Sequence, residues 1–426
     1  MCAEKKNRLS TTRTKSETLK AVITSEYWLI LAISGVFFTF FALDGGGTGM
    51  FIELSFFLLI VNALFGGYKI KKIPMFYFVV LTVCVCLILE SLMVAPAQSH
   101  VRWIKNLFRM LIIIFSIHCL YQKDINYRIS MLFVGILYLS VCWQFAALHF
   151  FEMPYGTFSN RHYLSSFAVL TLPVIVASIF FLPGWYKLIL IPIFFMDVEL
   201  LLQAGSRPAI IGIAFGTLFI IIFLTRGRYK WIGMTLIFLF FGILYITGYA
   251  NIGPRIEELI VNLTKEERVQ FWTQAWNALT NNSLMDWIFG HGIGWFPVHF
   301  TQDLAPQVFH FVFPHLYFLE ILYLNGIIGV VLIFGGLALL FFSAVNASKQ
   351  THNKETRTLL KSLIVAFLSW LIHCGLTIPF YSKNSLYPLA FILGLMLVLV
   401  ERTTLQICIA QGISRSQIST LLKKQP

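Results

Sequence analysis

The chain has 426 residues, 58% of them hydrophobic and 12% charged, with a net charge of +13 and a mean hydropathy of +0.78. A water-soluble domain carries roughly 25% charged residues, so an ordinary soluble fold is excluded. The basic residues sit in short segments between apolar runs, which argues against a nucleic-acid surface and for orientation in a membrane and contact with anionic lipid.

Residues 1–26 form a polar tail with Lys5, Lys6, Arg8, Arg13, Lys15 and Lys20. The first apolar run, near 27–43, ends at Leu43-Asp44-Gly45 without a small-residue cleavage site, so it is predicted as a retained helix. Further runs long enough to span a bilayer lie near 50–66, 75–95, 107–121, 130–150, 163–182, 185–203, 208–225, 231–249, 322–345, 362–380 and 386–401. The predicted fold is therefore all-α and polytopic, with about twelve transmembrane helices. The 7 cysteines lie at a terminus or within or beside apolar runs, which predicts no disulfide framework, and no Cys/His metal spacing occurs.

Charge counting orients the spans. With the N-terminus in the cytoplasm, 23 of the 32 Lys and Arg residues fall on the inner side, which predicts cytoplasmic ends and an even number of crossings. The exceptions are Arg102, Lys105, Arg109, Arg161, Arg207, Arg255, Lys265, Arg268 and Lys383. Several lie beside apolar runs, where a charge is costly and marks function by default. As a group they suit a shared anionic ligand on the outer face. The layout is then an inner tail over 1–26, helices one to nine over 27–249, an outer loop over 250–314, a re-entry segment with helices ten to twelve over 315–401, and an inner tail over 402–426.

The loop at 250–314 is the one long polar stretch between spans. It opens on the turn signal Asn251-Ile252-Gly253-Pro254. Thr264-Lys265-Glu266-Glu267 reads as a capping box, followed by an amphipathic stripe of Val269, Trp272, Trp276 and Leu279. Arg268 falls in the first turns of that helix, where an anion would be favoured. The Gly-rich turn Phe289-Gly290-His291-Gly292-Ile293-Gly294 lacks the features of a nucleotide-binding loop.

His315 is the sharpest chemical candidate. It follows Pro314 where the long loop returns to the membrane, so it is predicted at an outer helix mouth. A neutral imidazole there can take a proton from a sugar hydroxyl. His310 is a weaker rival. Glu320 could orient or buffer the site, and His315 could be oriented by Glu320 or by a backbone group. Arg207, in Gly205-Ser206-Arg207-Pro208, is expected to leave helical geometry because Pro follows it, and its planar fork suits bidentate phosphate contact. Arg161 occupies the preceding outer loop. Arg102, Lys105 and Arg109 are spaced to share one helical face. Asp197 and Glu199, inside an apolar run, are expected to pair with outer cations or polar groups. With no clustered Asp-x-Asp, no metal or other cofactor is expected.

Four local patterns, in this order and on this side, resemble the O-antigen ligase family of bacterial inner-membrane proteins. They are Gly205-Ser206-Arg207, Glu267-Arg268 before Trp272 and Trp276, Gly290-His291-Gly292-Ile293-Gly294, and Pro314-His315 with Glu320 and Asn325-Gly326-Ile327-Ile328-Gly329. The chain departs from the family pattern at Leu316, where Asn is common, and at Pro208. The resemblance implies a GT-C-like membrane glycosyltransferase. Its donor would be a glycan on undecaprenyl pyrophosphate, its acceptor a sugar of lipid A-core, and its active site would face the periplasm. By this carry-over Arg207 and Arg268 bind the pyrophosphate and His315 is the base, with no metal. Arg161, Arg102, Lys105, Arg109, Glu320 and His310 complete the candidate substrate contacts. The alternatives are an O-antigen polymerase, a protein O-oligosaccharyltransferase, or a transporter of the lipid-linked sugar. A transporter is expected to show ionisable or broken-helix sites near mid-membrane and access from both sides, whereas the polar residues here gather at the outer ends.

Overall fold

The computed structural model describes residues 26–43, 48–64, 81–89, 100–122, 127–181, 184–225, 227–246, 267–281, 283–293 and 315–410. Apart from a short extended segment, Pro154–Thr157, and a single 3-10 turn, Gly184–Tyr186, the regular structure is helical. The helices are α1 Glu26–Ala42, α2 Thr48–Leu64, α3 His100–Gln122, α4 Tyr127–Phe150, α5 Arg161–Phe181 and α6 Lys187–Gln203. They continue as α7 Arg207–Phe219, α8 Arg228–Ile246, α9 Glu267–Thr280, α10 Leu284–Phe289, α11 Tyr317–Gln350, α12 Lys354–Gly375 and α13 Lys383–Ala410. Residues 81–89 are also helical.

This is an all-helical membrane protein. Among the described residues, six helices are long and apolar enough to cross a bilayer: Trp103–Leu120, Arg161–Ile179, Arg207–Leu224, Tyr317–Gln350, Lys354–Gly375 and Lys383–Ile407. Three shorter apolar helices, Trp28–Phe40, Thr48–Val61 and Gly135–Phe150, accompany them. The sequence suggests about twelve crossings; six meet the length requirement here.

The bundle is organised around α12 and α13. Within the apolar window of α13, 83% of residues are buried, against 28% for α7, so α13 is central and α7 faces outward. Helix α12 packs on α5 and α7, and α13 packs on α3. The contact of α7 with α12 is made by small residues. A Cβ on Gly212 would stand 2.7 Å from Ser369 O, and one on Gly216 would stand 2.9 Å from Val365 O. In lipid, where apolar surface gains little from burial, such close backbone approach drives helix association. At the far end of the pair, Lys361 Nζ donates to Leu224 O at 2.6 Å, where a π-helical turn over Ile220–Leu224 ends α7.

Two helix boundaries differ from the hydropathy reading in ways that matter. The apolar run at 362–380 extends through Phe380, but α12 ends at Gly375 and residues 376–382 form a turn. Apolar residues in a turn look like helix to a hydropathy window. Arg207, expected outside helical geometry, is the first residue of α7, with Ser206 extended before it (φ −87°, ψ 101°). A proline in the first helical turn removes no intrahelical hydrogen bond.

Helix α11, a candidate span, is broken rather than continuous, a feature expected of a transporter. Gly326 takes φ 59° and ψ −164°, dividing it into 317–325 and 327–350. The break leaves helix-end carbonyls without intrahelical partners. The Gly-rich turn supplies them: His291 N donates to Tyr323 O at 3.1 Å and Gly292 N to Leu324 O at 2.7 Å. Two glycines make this approach possible. A Cβ on Gly290 would strike Leu324 and Asn325 backbone, and one on Gly326 would strike the backbone of Ile288 and Phe289. Helix α10, which delivers the turn, is held by a capping box between Ser283 and Asp286. The predicted box at 264–267 lies largely outside the described residues. In α9, Ala275 and Leu279 are buried and Trp272 is partly buried. Trp276, expected on the buried stripe, is instead 45% exposed and packs edge-on against Trp287 at 5.9 Å.

Candidate functional site

His315, Glu320, Arg161 and Arg207 lie where the starts of α5, α7 and α11 meet the end of α12, linked through His373 and Thr377. The centre is the turn at 376–382. His315 lies two residues before α11, with φ 50°, a left-handed conformation uncommon outside glycine. Its Nδ1 lies 3.0 Å from Thr377 O. A carbonyl oxygen only accepts, so Nδ1 carries the hydrogen, and in the neutral ring Nε2 is the basic nitrogen.

Of the two orienters expected for His315, Glu320 or a backbone group, the structure supplies the backbone group, Thr377 O. Glu320 is 1% exposed, and its two carboxylate oxygens accept from Phe380 N at 2.9 and 3.0 Å. It sits in the first turn of α11. His315 and Glu320 thus hold one turn at two points, Thr377 O and Phe380 N.

Other groups complete the clamp. Asn106 Nδ2 on α3 donates to Tyr381 O at 3.1 Å. The Tyr381 hydroxyl donates to Asn325 Oδ1, beside the break in α11. Trp370 Nε1 donates to Ser385 O at 3.1 Å, and the hydroxyls of Tyr317 and Ser385 are hydrogen-bonded.

The basic candidates separate by environment. Lys105 and Arg109 on α3 both meet Glu53 of α2, at 3.5 and 2.7 Å. Their charge is partly answered within the protein. Arg207 is half-buried and Arg161 exposed, and among the described residues neither forms an ion pair with a carboxylate. Arg161 opens α5. Asn160 caps that helix by accepting from His162 N at 2.9 Å, and Gln144 of α4 holds the preceding segment through both Thr157 N and Thr157 Oγ1. Arg268 falls in the first turn of α9, as expected; its side chain and that of Arg102 lie outside the described residues, as does all of His310.

One residue in this cluster escaped the sequence reading. His373, fully buried on α12, has Nε2 at 3.1 Å from His162 O and Nδ1 at 3.3 Å from Ser206 Oγ. It touches the residue after Arg161 and the residue before Arg207. The available signal was an ionisable side chain inside an apolar run. Thr377 Oγ1 in turn donates to His373 O at 2.6 Å, so a short hydrogen-bonded path joins this histidine to the carbonyl that holds His315.

The two acids of α6 pair with polar groups rather than with cations. Asp197 Oδ2 accepts from Thr171 Oγ1 at 2.8 Å, and Glu199 Oε1 accepts from Gln203 Nε2 at 2.8 Å. No group of three His, Cys, Asp or Glu side chains among the described residues is placed to hold a metal ion. Chemically, the arrangement offers one oriented imidazole and two guanidinium groups available to an anion. No protein-family model matches the chain, and neither does any curated protein sequence compared with it.

Proposed function

We propose that the chain is a membrane glycosyltransferase of the O-antigen ligase kind. It transfers a glycan from undecaprenyl pyrophosphate to a sugar of lipid A-core, at the outer face of a bacterial inner membrane. The observation that carries this reading is His315, strained at positive φ and held through Nδ1 by Thr377 O. Strained backbone concentrates at functional sites, and this hydrogen bond sets the tautomer that a general base needs.

In this reading Nε2 of His315 takes the proton from an acceptor hydroxyl as its oxygen attacks the anomeric carbon of the donor sugar. The bond from that carbon to the phosphate oxygen breaks, and undecaprenyl pyrophosphate leaves with the electron pair. Attack opposite the leaving group inverts the anomeric centre. The leaving group needs positive charge rather than a proton, and Arg207, Arg161 and Arg268 supply it as permanent cations. Both substrates are lipid-anchored, so the membrane delivers them to the same surface.

The test is reconstitution of the purified chain with undecaprenyl-pyrophosphate-linked glycan and lipid A-core, in the presence of chelator. Ligated lipopolysaccharide is expected. A lengthened lipid-linked glycan would make the chain a polymerase, and movement of the donor across the bilayer without a covalent product would make it a transporter.

A further inference from the structure

We propose that His373 is a positioning residue that sets the spacing of Arg161 and Arg207 for one diphosphate. The inference rests on reading these two arginines as the leaving-group cations.

The chemistry of the ring assigns its hydrogens. His162 O can only accept, so Nε2 carries the hydrogen. The neutral ring then presents the Nδ1 lone pair to the Ser206 hydroxyl. One rigid imidazole therefore bridges the first turn of α5 to the residue before α7.

Ser206 shows that this bridge displaces an ordinary local role. Serine before a helix normally accepts from a backbone N–H in the first turn, worth about 1 kcal/mol. Ser206 holds the N-cap position of α7 with its side chain making no such bond. Its hydroxyl, on a residue 2% exposed, meets His373 instead. The long-range contact, across 167 residues of chain, takes the place of the local cap.

Both partner helices are already seated on α12 deeper in the bundle. Gly212 brings α7 against Ser369, one helical turn from His373, and Ser166 Oγ of α5 lies 3.1 Å from Cys374 Sγ. Packing fixes the helices; the imidazole fixes their first residues, which carry the arginines. A guanidinium pair that must grip two linked phosphates depends on that last increment of order.

The test measures geometry and catalysis separately, on the full chain in lipid nanodiscs. Spin labels on unnatural residues at the exposed positions 155 and 203 leave the native cysteines and the Asn160 cap in place. The unsubstituted site is expected to give one narrow inter-label distance distribution, and His373→Ala a broadened one. Ser206→Ala removes the α7 link alone and is expected to broaden it too, which keeps the test open if His373→Ala does not fold. An unchanged distribution in a folded His373→Ala or Ser206→Ala protein overturns the proposal, whatever the activity. With the undecaprenyl-pyrophosphate-linked glycan as donor, His373→Ala is expected to raise KM about tenfold, the order expected for one or two lost hydrogen bonds, with a smaller fall in kcat. His373→Gln, which can still donate to His162 O, should recover part of that loss. A fall in kcat with KM unchanged would also overturn it. Broadened distances in the variants, beside an unsubstituted protein that transfers no glycan, would keep the imidazole bridge but overturn its role toward a diphosphate, together with the proposed function.

Discussion

Nδ1 of His315 meets the carbonyl oxygen of Thr377 at 3.0 Å, across 62 residues of chain. That contact joins the start of α11 to the turn after α12 and defines which ring nitrogen is basic. His315→Asn is the informative variant, because Asn tolerates positive φ better than most residues and cannot act as the base. It should insert and fold normally yet lose transfer by about 10²–10⁴-fold, the usual range for a general base. Initial rates in proteoliposomes check this, and a rate within a few-fold of the parent protein rules out His315 as the base.

The hold of Glu320 on Phe380 N–H predicts a graded pair of variants. Glu320→Leu leaves that buried N–H without its acceptor, a loss of about 1–3 kcal/mol. Glu320→Gln keeps one acceptor oxygen in place and should lose clearly less. Unfolding midpoints in detergent, followed by tryptophan fluorescence, give the order. Equal losses would mean that the hydrogen bond is not what Glu320 contributes.

The two facing glycines make the docking of the Gly-rich turn sensitive to a single methyl group. Gly290 and Gly326 have φ of 73° and 59° with ψ of −162° and −164°, a region essentially restricted to glycine. Gly326→Ala should cost about 1–3 kcal/mol from backbone strain alone, with the clash against Ile288 and Phe289 added. Amide exchange at His291 and Gly292 reports it, since their N–H groups bond Tyr323 O and Leu324 O. Unchanged protection at these two amides would show that the turn does not need the close approach.

The cations should divide into two classes. Arg207→Lys keeps the charge but loses the planar fork, so KM for the lipid-linked donor should rise by roughly tenfold or more. Lys105→Ala should change KM far less, because Lys105 is exposed beside Glu53 and such pairs are screened by solvent. Titration of both variants with donor settles the order, and an equal effect would place the α3 cations in the donor site.

The helical class and the positions of most apolar runs were legible in the sequence. Transfer of a side chain into lipid is summed over a local window, so a run of about twenty apolar residues declares itself without reference to the rest of the chain. Ends were less legible. Hydropathy continues through Ile378 and Phe380, while the helix ends at Gly375 and the turn after it is held by Asn106, His315 and Glu320, all distant in sequence.

The sequence by itself determined that this chain folds in lipid, and it put Arg161, Arg207, Arg268, His315 and Glu320 forward as the polar residues to watch. Only the tertiary structure decided that Glu53 engages Lys105 and Arg109, that Glu320 holds Phe380 rather than His315, and that His373 bridges the turns bearing Arg161 and Arg207. The reason is separation along the chain. These contacts join residues 52 to 211 positions apart, and no helical period or local motif encodes a hydrogen bond at that range.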